Sequence, residues 1–95
     1  MSKKRSYEKE IREQILFFLY RHSYWQKRHT PISNICNKLS SIPCKYINKE
    51  LKQLYKDEYI RFKNTNHGKD VFLNIAKKKE IEEEIDQKLK DLYSF

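Results

Sequence analysis

The sequence predicts a mainly helical α+β domain, with three helices, a β-hairpin and an added C-terminal helix, on three observations. Apolar residues recur at spacings of three and four within 6–24, 32–39, 44–56 and 77–93, the stripe spacing of an α-helix. Residues 59–75 instead alternate apolar and polar around Gly68, the chain's single glycine, as two half-buried strands about a turn do. One Gly and two Pro in 95 residues leave few places to turn, which favours long helices and short connections.

Ninety-five residues make one small domain, and a chain this short buries a modest share of its surface, so a second subunit would add stability. A mean hydropathy of −0.98 and 36% charged residues suggest disorder, but the 14% aromatic content and the clear periodicities argue for a packed core. The formal charge of +8 is unevenly spread. Residues 1–76 hold sixteen Lys/Arg against seven Asp/Glu, a net of +9, and residues 77–95 hold five against six, a net of −1. Such an excess points to a polyanionic partner. The longest apolar run, residues 15–20, is far short of the ~20 residues that span a bilayer. No secretory leader is evident, and the expected compartment is the cytoplasm.

In chain order, Met1–Arg5 reads as a short, mobile basic arm. The first helix starts near Ser6, an N-cap, with Glu8 and Glu10 in its first turn. Tyr7, Ile11, Ile15, Phe18 and His22 share one face; Leu16, Phe17, Tyr20 and Tyr24 share roughly the opposite one. A surface helix needs one apolar stripe, so the second needs cover from this chain or from a partner subunit. Residues 25–29 form a short extended segment. Thr30–Pro31 then caps and opens the second helix, whose core face is Ile32, Ile35, Cys36 and Leu39. Ser40–Ser41 is a turn, with Ser41 capping the third helix and Pro43 in its first turn.

The third helix has two unlike faces. Cys44, Ile47, Leu51 and Leu54 form an apolar stripe. At ~100° per residue, Lys45, Lys49, Lys52 and Lys56 gather opposite, flanked by Tyr46 and Gln53. That row suits a phosphate-lined groove; a solvated lysine face fits this helix alone equally well. Tyr59–Lys63 and Val71–Ile75 are the hairpin strands, joined by a turn over Asn64–Lys69, with Lys63, His67 and Lys69 at the tip and Phe72 facing with Tyr59 and Arg61. The last helix carries Ile81, Ile85, Leu89 and Leu92 in a narrow stripe, the width of a helix–helix seam. Packing on the first helix competes with dimerisation for this stripe, and dimerisation is the preferred reading, through Phe17, Tyr20, Tyr24, Ile81, Ile85, Leu89 and Leu92.

Cys36 and Cys44 do not make a disulfide framework. Reduced core thiols are the default and a bridge between the paired helices the alternative. His22, His29 and His67 are scattered without metal-ligand spacing, so no metal or cofactor is expected. Nor is an enzyme, since the chain has no glycine-rich phosphate loop and no nucleophile with a base beside it.

The order helix, extended segment, helix, turn, helix and two-stranded hairpin resembles the winged helix-turn-helix family over residues 6–76. The stretch IPCKYINKELKQLYKDEYIRFKN is similar to the family's recognition helix running into its first wing strand, and GKDVFLNI to the second. Residues 77–95 look like the dimerisation helix that small bacterial, archaeal and archaeal-virus regulators of this kind append. One departure is Glu58–Tyr59, where many members place a Gly just before the Ile that starts the strand. The resemblance implies that Lys45, Tyr46 and Lys49 meet the major groove, with Gln53 further along and Lys52 and Lys56 on phosphate. Arg61, Lys63, His67 and Lys69 would lie along backbone or minor groove. The expected function is therefore a homodimeric, sequence-specific double-stranded DNA-binding regulator. An adaptor docking an acidic protein partner and an RNA-binding winged helix using Tyr46, Tyr55 and Tyr59 are the rivals. No small-molecule ligand is implied.

Overall fold

The computed structural model describes residues 3–93, with side chains from Tyr7 to Leu92. The architecture is α+β. Helices α1 (Lys3–Arg21), α2 (Ile32–Lys38) and α3 (Cys44–Lys56) are joined to strands β1 (Thr30–Pro31), β2 (Ile60–Thr65) and β3 (Gly68–Leu73). A 3-10 turn (Ile75–Lys77) then leads into α4 (Lys78–Glu84) and α5 (Asp86–Tyr93). No helix among the described residues is long and apolar enough to cross a membrane.

Helix α1 is the central element, and its apolar residues are buried on more than one side: Ile11, Ile15, Leu16 and Leu19 are at most 1% exposed. It begins at Lys3 rather than at Ser6, so Lys3–Arg5 of the expected arm are helical, while Met1 and Ser2 lie outside the described residues. Its C-terminus closes with Ser23 in the left-handed region and the Tyr24 amide donating to the Leu19 carbonyl. The expected extended segment at 25–29 shrinks to a bridge from Trp25 to Leu73. A true strand follows instead at Thr30–Pro31, antiparallel to β3 in a sheet of order β1–β3–β2. Beneath it, His29 Nδ1 and Asp70 Oδ2 are hydrogen-bonded at 2.6 Å.

Because Thr30–Pro31 is sheet, α2 starts one residue later than expected, at Ile32 with Pro31 in the cap position; the Thr30 hydroxyl accepts from Asn34 Nδ2 at 2.8 Å. Pro43, not Ser41, precedes α3, and its carbonyl accepts from the Tyr46 and Ile47 amides. The turn before it drops Ile42 into the core at 5% exposure. Ile47, Leu51 and Leu54 form the buried stripe of α3. Cys44 leaves that stripe: it is exposed and bonded to Cys36, their Cα atoms 5.3 Å apart, so a bridge replaces the expected pair of core thiols.

The hairpin strands pair from Ile60↔Leu73 to Thr65↔Gly68, with Gly68 at φ +123°. The ladder extends further toward the tip than expected and leaves a two-residue turn at Asn66–His67. Ile75 falls outside β3, 46% exposed in the 3-10 turn.

The largest correction concerns the tail. The expected single helix 77–93 is broken at Ile85, which adopts φ −101° and ψ 16°. Ile81 and Ile85 are 0% exposed within the single chain and belong to its core. Polar contacts tie the tail to α1: Tyr20 Oη donates to Glu82 at 2.5 Å, Lys88 Nζ to Glu10 at 2.9 Å, and Arg12 Nε pairs with Glu84. The chain itself thus covers part of the second stripe of α1, with Leu16 fully buried. Ile81 and Ile85 are closed to a second subunit, and Phe17, Tyr20, Tyr24 and Leu89 pack partly against the same core.

Candidate nucleic-acid interface

The 100° spacing of Lys45, Lys49, Lys52 and Lys56 sets them in one row within about 60° of arc on α3. Burial of Ile47, Leu51 and Leu54 turns that row outward, and all four are exposed. Lys52 and Lys56 make no ion pair among the described residues. Lys45 Nζ sits 5.2 Å from the centroid of Tyr46, whose ring meets Tyr7 of α1 edge-on at 5.9 Å.

The two flanks of the row differ. On the side toward α1, Lys49 Nζ donates to Glu8 Oε2 at 3.2 Å and Gln53 Nε2 to Asp57 Oδ1 at 3.1 Å. Glu50 lies beside them at 7% exposure. Its carboxyl is pushed above the ordinary carboxylate range, first by burial and then by the Glu8 charge, against the opposing pull of Arg12 and Lys49. This flank is a crevice lined by Glu8, Arg12, Lys49, Glu50, Gln53 and Glu84.

On the other flank the row continues into the hairpin. Tyr55, 51% exposed, stacks on Phe62 of β2 with centroids 5.2 Å apart and planes inclined by 34°. Lys69 Nζ lies 5.0 Å from the Phe62 centroid. Strand alternation places Asn64 and its partner Lys69 on the same face as Phe62 and Val71. Arg61 and Lys63, opposite Phe72 and Asp70, project from the other face. His67 is exposed at the tip.

Of the ten expected contact residues, the structure therefore brings together Lys45, Tyr46, Lys49, Lys52, Gln53, Lys56 and Lys69 on one side. Arg61 and Lys63 share the hairpin with Lys69 but leave it in the opposite direction. Sequence reasoning missed Tyr7 and Glu8 as neighbours of the row, because 39 and 41 residues separate them from their α3 partners. It also missed the Tyr55–Phe62–Lys69 stack, which strand alternation could have suggested.

Chemically, this surface offers ammonium donors for phosphate oxygens and base-edge acceptors, a phenol beside each end of the row, and one amide. Comparison with family models, curated proteins and solved structures finds no match to the chain.

Proposed function

We propose that this chain is a winged helix-turn-helix protein that binds double-stranded DNA and regulates transcription by occupying a site near a promoter. In this reading α3 enters the major groove, and the β2–β3 hairpin acts as the wing on the adjoining backbone or minor groove. The single observation that carries it is the outward row of four lysines, continued through Tyr55 and Phe62 to Lys69. The element order α1–β1–α2–α3–β2–β3, with β1 closing the sheet against β3, supports it. Lysine can donate to guanine O6 and N7, and Gln53 matches the donor–acceptor edge of adenine. Lys52, Lys56 and Lys69, on the wing side, are suited to phosphate, where contacts position without specifying.

The same reading pairs two copies, through only part of the expected seam, since Ile81 and Ile85 are buried in their own chain. The strip left for a partner is a groove of about 640 Å³ between α1 and α5, with Phe17, Leu39 and Leu92 among its lining residues. Arg21, Lys38 and Lys88 line it along with Glu10 and Asp91, so its rim carries charges of both signs. Two recognition helices would then address half-sites about one helical turn apart.

Selection of bound duplexes from a random pool tests the proposal. A recovered consensus, lost or altered in Lys49→Ala and Gln53→Ala, is the expected result. Uniformly weak binding to every duplex would favour a protein-docking role for the same surface, and preference for single-stranded or structured RNA would favour RNA.

A further inference from the structure

Glu8 is the one carboxylate that pairs with the lysine row among the described residues, and it does so on the flank toward α1, at Lys49. Tyr7, the residue before Glu8, packs edge-on against Tyr46, which fixes this part of α1 beside the first turn of α3. Both side chains still reach solvent, Lys49 at 60% and Glu8 at 36% exposure. The result is a donor and an acceptor 3.2 Å apart at the α1 edge of the lysine row. A bare phosphate-binding face has no use for that carboxylate, which repels the backbone it would approach.

A G·C pair carries the complementary arrangement in the major groove. Guanine presents O6 and N7 as acceptors, and cytosine presents the N4 amino group as donor. O6 and N4 are hydrogen-bonded to each other, so they lie about 3 Å apart, the spacing of the Lys49–Glu8 pair. The amino group keeps one hydrogen free after base pairing, and that hydrogen points into the groove. An A·T pair also offers an acceptor beside a donor, at adenine N7 and N6, but only guanine gives the ammonium two adjacent acceptors, O6 and N7, with the donor supplied by the cytosine opposite.

Resting on the duplex-binding reading above, we propose that Lys49 and Glu8 together read one G·C pair, Lys49 donating to guanine O6/N7 and Glu8 accepting from cytosine N4. Glu8, on α1 and outside the recognition helix, is then a specificity-determining residue. Its charge lowers affinity for arbitrary sequence, and its acceptor rewards the matching pair.

The test compares wild type, Glu8→Met and Lys49→Met, first on the random duplex pool and then on the selected duplex with each base pair replaced in turn. In the wild type, one G·C position should be fixed, and its replacement by T·A should weaken binding about tenfold or more. Both variants should lose the preference at that same position and keep it elsewhere. Glu8→Met should in addition bind unselected duplex several-fold more tightly. Circular dichroism melting establishes that both variants are folded. An unchanged preference at every position in Glu8→Met overturns the inference and leaves duplex binding intact. Absence of any base preference in the wild type overturns the duplex-reading proposal itself.

Discussion

Asn74 Nδ2 donates to the carbonyl of Glu58 at 2.8 Å, and Glu58 is held at φ +68° between α3 and β2. Asn74 Oδ1 accepts from the Ala76 amide, and the Asn74 amide donates to the Tyr59 carbonyl at 3.0 Å. One buried amide side chain therefore ties the exit of α3 to the end of the hairpin. A non-glycine residue in the left-handed region costs ~1–2 kcal/mol, part of which glycine recovers against its larger loss of chain entropy. Glu58→Gly should stabilise the fold by roughly 0.5–1 kcal/mol, raising Tm by about 4 °C. Asn74→Ala, which leaves the Glu58 carbonyl and the Ala76 amide without this partner, should destabilise by about 2 kcal/mol. Thermal melts of the two variants check both signs.

Arg12 joins three elements. Its Nη1 lies 2.8 Å from Asp57 at the end of α3, its Nε pairs with Glu84 of α4, and its guanidinium lies 5.0 Å from the centre of the Tyr59 ring. With 15% side-chain exposure on Arg12 and 22% on Glu84, removing the cation strands the Glu84 carboxylate in a partly dry crevice and takes a partner from Asp57, 36% exposed. Arg12→Ala should cost about 2–3 kcal/mol in urea denaturation. Arg12→Lys should recover only part, since a point ammonium cannot satisfy both partners in the same planar geometry.

Glu50 carries a pH signature. Burial, with help from Glu8, raises its carboxyl above the ordinary range, so in the relevant window the folded chain binds more protons than the unfolded one. Its favourable contribution is complete below the unfolded carboxylate value and is lost as pH rises through the folded one. Glu50→Gln, which cannot ionise, should therefore raise Tm at pH 7 and match the wild type at pH 3. Equal Tm values at both pH values would remove this assignment.

The tail distinguishes packing from assembly. Ile85 is fully buried in its own chain, so Ile85→Asp should unfold the domain, with loss of its cooperative melt, rather than yield a folded monomer. Leu92 lines the outer groove, so Leu92→Glu should leave the melt in place and halve the mass seen by light scattering.

These contrasts mark what the residues reveal in one dimension. The order of helices and hairpin was legible because each rests on a local period: threes and fours at Ile47, Leu51 and Leu54, alternation at Ile60 and Phe62 and at Val71 and Leu73. The outward lysine row follows from the same arithmetic. Strand β1 was not legible, since two residues pair only because Val71 and Asp70 arrive 41 and 39 positions later. Periodicity said that the second stripe of α1 needs cover, yet not whose cover, and the tail of the same chain supplies part of it, tied on through Tyr20 and Glu82. The departure at Glu58–Tyr59 was visible, and the structure puts Glu58 in the left-handed region, a conformation that glycine would adopt without strain. The Lys49–Glu8 pair depends on α1 lying against α3, which no local pattern encodes.

The most direct measurement is the salt dependence of duplex binding by the wild type and by Lys52→Ala/Lys56→Ala/Lys69→Ala, which removes the three cations suited to phosphate. If the row neutralises phosphates, the wild-type affinity should fall ~10³–10⁵-fold between about 50 and 200 mM salt, for about 6–10 phosphate contacts in a dimer. Each lysine removed lowers the slope of log K against log[salt] by ~0.9 for one copy, so the triple variant should lose about 3 units per subunit bound. A wild-type response that is flat, or a triple variant whose slope equals that of the wild type, would contradict the claim that this face of α3 meets DNA.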